Sequence, residues 1–209
     1  MDINRYRLQD KKLYVIVDVD DFFSEDDFLD SIAVLLSEGV EILQIKSEKY
    51  CASEMIRLGK KVRELCSIYN ALFILRERAD IAKAVDADGV HLSKRDIDIC
   101  LAREILGKTS IIGFSVEDSE TTGFFKQEGV DYLLVGSFAE TIANRRKEAA
   151  GECICIDNAE IPCFYIFDSD KDSLRTIISA GIKRVAVRIG ITSSKNLEKA
   201  IKSISEKLK

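Results

Sequence analysis

The chain has 209 residues, 46% of them hydrophobic and 32% charged, and 31 Lys and Arg against 36 Asp and Glu give a net charge of −5. Apolar residues spread along the whole length exclude general disorder, and the acidic balance disfavours a nucleic-acid partner, which would call for a basic face. No apolar run approaches the roughly 18 residues of a membrane span.

The start, Met1-Asp2-Ile3-Asn4-Arg5-Tyr6-Arg7, has no hydrophobic region of the signal-peptide kind. The expected location is therefore cytoplasmic, with no membrane partner. The length fits a single domain covering residues 1–209.

In chain order, apolar runs predict strands over Leu13–Val19, Glu41–Ile45, Leu72–Leu75, Gly89–Leu92, Ser110–Phe114, Tyr132–Val135, Cys163–Phe167 and Arg184–Val187. Amphipathic stretches between them predict helices over Glu25–Ser37, Ser53–Tyr69, Ala79–Val85, Ile97–Leu106, Glu117–Glu128, Asp170–Ala180 and Ser194–Leu208. In the second of these, Leu58, Val62, Leu65, Cys66 and Tyr69 fall on one helical face. Ser24 and Ser169 each stand three residues before an aspartate, close to the capping-box pattern. Between the sixth and seventh strands, Glu140–Glu160 reads as a long loop or irregular segment. The single proline, Pro162, precedes the seventh strand, where it costs no ladder bond.

Gly39-Val40, Gly129-Val130 and Gly181-Ile182 each close a helix and open a strand, and Gly89-Val90 repeats the phrase. Glycine takes the left-handed conformation that ends helices. The repeat has a period of about 40 to 50 residues. Alternating strands and helices predict parallel strands with crossover helices, and near-continuous apolar strands predict a sheet covered on both faces. Eight such units predict a single-domain α/β fold, a (βα)8 TIM barrel, at the short end of the range of roughly 200 residues and up. No Gly-x-Gly-x-x-Gly follows the first strand and no Walker loop occurs, so a nucleotide fold gains no support.

The six cysteines predict reduced thiols in a cytoplasmic chain. Cys153 and Cys155 would share one face of a strand, and no second Cys/His pair follows at zinc spacing. A metal or redox role for that pair stays open beside a structural one.

In a barrel, chemistry belongs at the C-terminal ends of the strands. The residues just past the apolar runs are Asp18, Asp20, Gln44, Lys46, Arg76, Glu77, Arg78, Lys94, Asp96, Ser115, Gly136 and Arg188. Lys46, Arg76, Arg78, Lys94 and Arg188 suit an anion, and Glu77 with Asp96 suits a divalent cation. Mg²⁺ commonly takes one or two carboxylates plus substrate phosphates, so the set suits a diphosphate. The same charges could equally pair with one another in solvent. His91, the only histidine, lies within the fourth strand and reads either as a structural hydrogen-bonding group or as a site-lining one.

Several of these stretches are familiar. Gly39-Val-Glu-Ile-Leu-Gln-Ile-Lys46, Phe73-Ile-Leu-Arg-Glu-Arg-Ala-Asp80 and Ala87-Asp-Gly-Val-His-Leu-Ser-Lys-Arg-Asp96 resemble the second-, third- and fourth-strand motifs of thiamine phosphate synthase. Ile112-Gly-Phe-Ser115, Gly129-Val-Asp-Tyr-Leu-Leu-Val-Gly136 and Gly181-Ile-Lys-Arg-Val-Ala-Val-Arg-Ile-Gly-Ile191 resemble its fifth, sixth and eighth. Gly136-Ser-Phe-Ala-Glu-Thr141 is closer to the sister branch that contains thiazole tautomerase.

The resemblance implies a role in thiamine biosynthesis. An aminopyrimidine diphosphate and a thiazole phosphate would condense to thiamine phosphate and release pyrophosphate, with Mg²⁺ on the leaving group. Gln44 would touch the pyrimidine, and Lys46 and Ser115 would act at the diphosphate. Arg76, Arg78, Lys94, Gly136 and Arg188 would line the substrates, and Glu77 and Asp96 would hold the metal. Homo-oligomers are common among such barrels, and the sequence leaves that open.

The chain also departs from the pattern. Arg76 stands at a family asparagine, Phe167-Asp168 at a phosphate-binding Gly-Gly, and Ile189 at a phosphate-binding serine. Glu117 stands at the tautomerase histidine, and Asn144–Lys147 replaces a Thr-Lys loop. A synthase with a degenerate thiazole phosphate site, a non-catalytic ligand-binding or regulatory homologue, and a tautomerase-like isomerase therefore remain three readings.

Overall fold

In the computed structural model, which describes residues 3–116, 129–136, 161–167, 182–189 and 194–208, the strands are buried on both faces. They are β1 (Leu13–Asp18), β2 (Ile42–Lys46), β3 (Leu72–Arg76), β4 (Gly89–Leu92), β5 (Ile111–Val116), β6 (Tyr132–Val135), β7 (Cys163–Phe167) and β8 (Val185–Ile189). Neighbours pair in parallel in sequence order, and β8 pairs with β1 to close the barrel. The helices are α1 (Ile3–Gln9), α2 (Glu25–Ser37), α3 (Ala52–Ile68), α4 (Ala79–Ala84), α5 (Ile99–Leu106) and α6 (Ser194–Leu208).

Side chains alternate along a strand, and here both sides are apolar. On β1, Leu13, Val15 and Val17 face the helix layer, among Phe28, Ile32 and Leu35 of α2. Tyr14 and Ile16 face inward, with Ile42, Ile74, Tyr132, Leu134 and Phe164. The interior is thus a packed core, as in other eight-stranded parallel barrels.

Two glycines are dictated by this packing. A Cβ on Gly89 would lie 2.0 Å from the Ile111 carbonyl oxygen, and one on Gly113 would lie 2.0 Å from the Tyr132 ring. Gly113 therefore makes the space that the Tyr132 side chain occupies inside the barrel.

The N-terminal end is closed by α1, an element absent from the sequence expectations. Leu8 enters the interior cluster, and the buried Asn4 amide donates to the Ser110 carbonyl at 2.8 Å. Below the strands, Asp88 pairs with Arg7 and Arg63 and accepts the Phe73 N–H. Asp131 accepts from Arg103 and from the Ile112 N–H, both at 2.8 Å.

The caps follow the sequence. Ser24 Oγ accepts the Asp27 N–H at 3.1 Å and opens α2. α5 starts two residues later than expected, because the Asp98 carboxylate caps it through the Cys100 N–H. The expected helices over Glu117–Glu128 and Asp170–Ala180, the segment Glu140–Glu160 and the cap at Ser169 lie outside the described residues. Cys51, Cys66, Cys100 and Cys163 form no disulfides, and Cys66 and Cys163 are buried; Cys153 and Cys155 lie outside the described residues. Among the described residues no helix is long and apolar enough to cross a membrane.

Candidate functional site

Inward-facing residues at the C-terminal strand ends form the mouth of the barrel. Alternation places Asp18, Lys46, Arg76, Ser115 and Arg188 on the inward faces of their strands, two or four residues beyond the buried interior set. Lys46 is the register partner of Asp18, and the two side chains form an ion pair. Arg76 Nε donates to Glu77 Oε1 at 2.7 Å. Arg78 makes a two-bond fork to Asp80, at 2.9 and 2.7 Å. Three of the expected anion-binding cations are therefore held by neighbouring carboxylates. Arg188 and Lys94 are exposed and form no ion pair among the described residues.

The loop after β2 is tied down by Asp20. Its carboxylate accepts the Ser47 hydroxyl at 2.5 Å and the N–H groups of Glu48 and Lys49 at 2.8 and 3.1 Å. Partial burial works to raise the Asp20 carboxyl, but these donors outweigh it and hold it below the usual carboxylate range.

Glu77 and Asp96 stand at the adjoining ends of β3 and β4. Glu77 adopts a left-handed backbone, φ +70°, and its N–H donates to the His91 carbonyl at 2.9 Å. Asp96 closes the turn after β4, with Oδ2 accepting both the Ser93 N–H and the Ser93 hydroxyl at 2.7 Å. Among the described residues Oδ1 accepts nothing. Two carboxylates fit a magnesium ion that draws its other ligands from phosphate and water. The described residues contain no cluster of three His, Cys, Asp or Glu side chains that could hold a metal without such help.

Beneath the mouth runs a buried polar line. Ser115 Oγ lies 2.7 Å from His91 Nε2, and His91 Nδ1 lies 3.1 Å from Tyr132 OH. Tyr132 OH is 2.8 Å from Tyr14 OH, which donates to Gln44 Oε1 at 2.7 Å. Burial, then the nearby Arg76 charge, push the His91 imidazole down to about 3, so it is neutral at physiological pH. Burial raises Tyr132 and Tyr14 well above the ordinary phenol range. His91 is thus a buried hydrogen-bonding group, joined to the candidate site residue Ser115.

The structure therefore brings Gln44 and Ser115 into one network and gathers Lys46, Arg76, Glu77 and Asp96 at one rim. Gly136 N–H is already bonded to the Val116 carbonyl at 2.9 Å, so this backbone donor is committed within the sheet. Phe167 ends β7 and the buried Ile189 ends β8. Asp168, Glu117, the Ser137–Thr141 stretch and Asn144–Lys147 lie outside the described residues. Tyr14 and Tyr132 are not among the residues that the sequence points to. The available signal was their inward parity with Gln44 and His91.

The fold and the mouth define a (βα)8 barrel with a cation- and carboxylate-lined C-terminal face. The family model for thiamine monophosphate synthase matches residues 13–191, and the chain belongs to that family. It is 39% identical over 165 residues to a thiamine-phosphate synthase of Nostoc punctiforme, covering 78% of this chain and 47% of that protein. It is 35% identical to one of Campylobacter jejuni, covering 88% of both chains. Among solved structures, thiamine phosphate pyrophosphorylase from Pyrococcus furiosus superposes with a TM-score of 0.80 at 30% identity, over 98% of this chain and 96% of that one. The chain spans about half the length of the cyanobacterial relatives it matches.

Proposed function

We propose that this chain is a thiamine phosphate synthase-like transferase. It condenses an aminopyrimidine diphosphate with a thiazole phosphate and releases pyrophosphate. The observation that carries this reading is the placement of inward-facing Lys46 and Arg76 on the same rim of the mouth as the Glu77 and Asp96 carboxylates, at the ends of the adjacent strands β2, β3 and β4. The names of the family and of the Campylobacter and Pyrococcus relatives, which the chain covers over most of their length, support it.

In this reading Gln44 orients the pyrimidine from below, and Ser115 and Lys46 hold the diphosphate. Arg76, Arg78, Lys94 and Arg188 supply further positive charge as the leaving group departs. Arg78 must first leave Asp80, and Lys46 must turn from Asp18. Glu77 and Asp96 would hold a magnesium ion, which neutralises charge on the departing diphosphate when bound.

The thiazole phosphate grip is degenerate. Ile189 gives a buried aliphatic side chain where the family offers a hydroxyl. That observation favours, as the second reading, a homologue that binds the pyrimidine diphosphate without turning it over.

Calorimetric titration with pyrophosphate and Mg²⁺ tests the shared part of both readings. Binding that weakens at least tenfold in Glu77→Ala, a loss of about 1.4 kcal/mol, supports the site. No binding of pyrophosphate at saturating Mg²⁺ would overturn it.

A further inference from the structure

The line from Gln44 to Ser115 has a fixed number of protons, and this sets the direction of each bond. Tyr14 has one hydroxyl proton and gives it to Gln44 Oε1. At the 2.8 Å contact Tyr14 must therefore accept from Tyr132. Tyr132 has then used its only proton, so at 3.1 Å it accepts the Nδ1–H of His91. A neutral imidazole carries one N–H. Nε2 is thus a lone pair, and the Ser115 hydroxyl donates to it over 2.7 Å. In this order Ser115 turns only lone pairs toward the mouth, where an anion needs a donor.

A half-turn of the Gln44 amide reverses the whole line. Its NH₂ then donates to Tyr14, Tyr14 to Tyr132, Tyr132 to His91 Nδ1, and His91 Nε2–H to Ser115. The Ser115 proton is released toward the mouth. Every bond along the line is kept in either order with only its direction changed, and only the amide and the hydrogens move. Tyr14 and Tyr132 are fully buried, and Gln44 and His91 nearly so. A mixed order would leave a buried donor or acceptor unpaired, which is costly.

We propose that Gln44 sets the tautomer of His91 through Tyr14 and Tyr132, and that this tautomer decides whether Ser115 offers its proton to an anion at the mouth. Tyr14, Tyr132 and His91 are positioning residues. A ligand that donates to Gln44 draws its carbonyl oxygen away from Tyr14 and favours the reversed order. An exocyclic amino group is such a donor. The relay stands on the geometry alone; its use to couple pyrimidine recognition to diphosphate binding rests on the proposed function.

His91 is the only histidine, so nitrogen NMR of imidazole-labelled protein reads the relay without ambiguity. The expected state of the free protein is Nδ1–H. In Tyr132→Phe the Nδ1–H would lose its acceptor, and in Tyr14→Phe the Tyr132 hydroxyl would turn to donate to Nδ1. Both variants, which keep the ring, are expected to move the proton to Nε2. An Nε2–H tautomer in the unsubstituted protein, or Nδ1–H retained in either folded variant, overturns the relay.

A second titration uses an aminopyrimidine lacking the diphosphate. It is expected to shift the unsubstituted protein to Nε2–H and to tighten pyrophosphate binding in Mg²⁺ several-fold, with no tightening in Tyr132→Phe. An aminopyrimidine that binds without moving the tautomer overturns the coupling. An aminopyrimidine that does not bind counts against the functional reading, while the tautomers of the free protein and its variants still decide the relay.

Discussion

Arg76 Nε donates to the Glu77 carboxylate at 2.7 Å, and Glu77 holds a backbone φ of +70° where it does so. Among the described residues, the other two non-glycine residues with positive φ are Asn70 and Asp86. Their short polar side chains tolerate that conformation. Glutamate has no such excuse, and strain of this kind gathers at functional sites. The Glu77 N–H is fixed by the His91 carbonyl, so the strain is imposed by the β3–β4 junction.

Replacing Glu77 separates strain from function. Glu77→Gly relieves the left-handed conformation and Glu77→Ala does not. The glycine variant should be more stable than the alanine variant by about 1 kcal/mol. Both should lose Mg²⁺–pyrophosphate binding. Urea unfolding and calorimetry on the two proteins check the pair of outcomes, and equal stabilities would contradict the strain.

Gly113→Ala should damage the interior. Its Cβ would sit 2.0 Å from the Tyr132 ring. Tyr132 cannot retreat, because Phe164 packs edge-on against it with centroids 5.9 Å apart. The expected loss is about 3 kcal/mol, at the upper end for overpacking, read from the urea midpoint.

Asp131→Ala removes a carboxylate whose side chain is 4% exposed and which serves both the Arg103 guanidinium and the Ile112 N–H. A loss of about 3 kcal/mol is expected, because a partly buried charge and a buried amide lose their partner together. Thermal unfolding of the variant checks this. A change within experimental scatter would show that solvent replaces the carboxylate.

His91 makes stability depend on pH. Its folded pKa, about 3, lies below its unfolded value. Between the two, the unfolded chain binds the extra proton, so stability rises with pH in that window. The contribution is fully present above the unfolded histidine pKa of about 6.5 and is lost as pH falls toward 3, at up to about 1.4 kcal/mol per pH unit. The stability difference between the unsubstituted protein and His91→Gln should therefore shrink when unfolding is measured at pH near 5 rather than near 7. A difference independent of pH would mean that His91 protonates freely in the barrel.

Most of the barrel was legible because each strand is a nearly continuous apolar run. The same feature hid its interior. With both faces apolar, hydropathy does not distinguish inward Tyr14 from outward Val15. The two phenols therefore read as core rather than as links between Gln44 and His91. α1 was missed because it has seven residues and no acidic first turn. Only a few side chains tie it to the barrel, among them Asn4 and Leu8, and their partners lie far along the chain.

The rim residues were legible from their place just past the strands. Their partners were not. Lys46 meets Asp18 through the register of β1 against β2, a relation set by the pairing of the two strands across the helix that joins them. The link between Asp96 and Ser93 depends on the turn after β4, and the Arg78 fork depends on how α4 begins.

Product formation decides whether the barrel is a synthase. Purified protein is mixed with Mg²⁺, an aminopyrimidine diphosphate and a thiazole phosphate, and thiamine phosphate is detected by fluorescence after oxidation. Product is expected from the unsubstituted protein and is expected to be lost in Glu77→Ala. No product, beside a relative that is active under the same conditions, would contradict synthase activity and leave a barrel that binds the diphosphate without joining it to the thiazole.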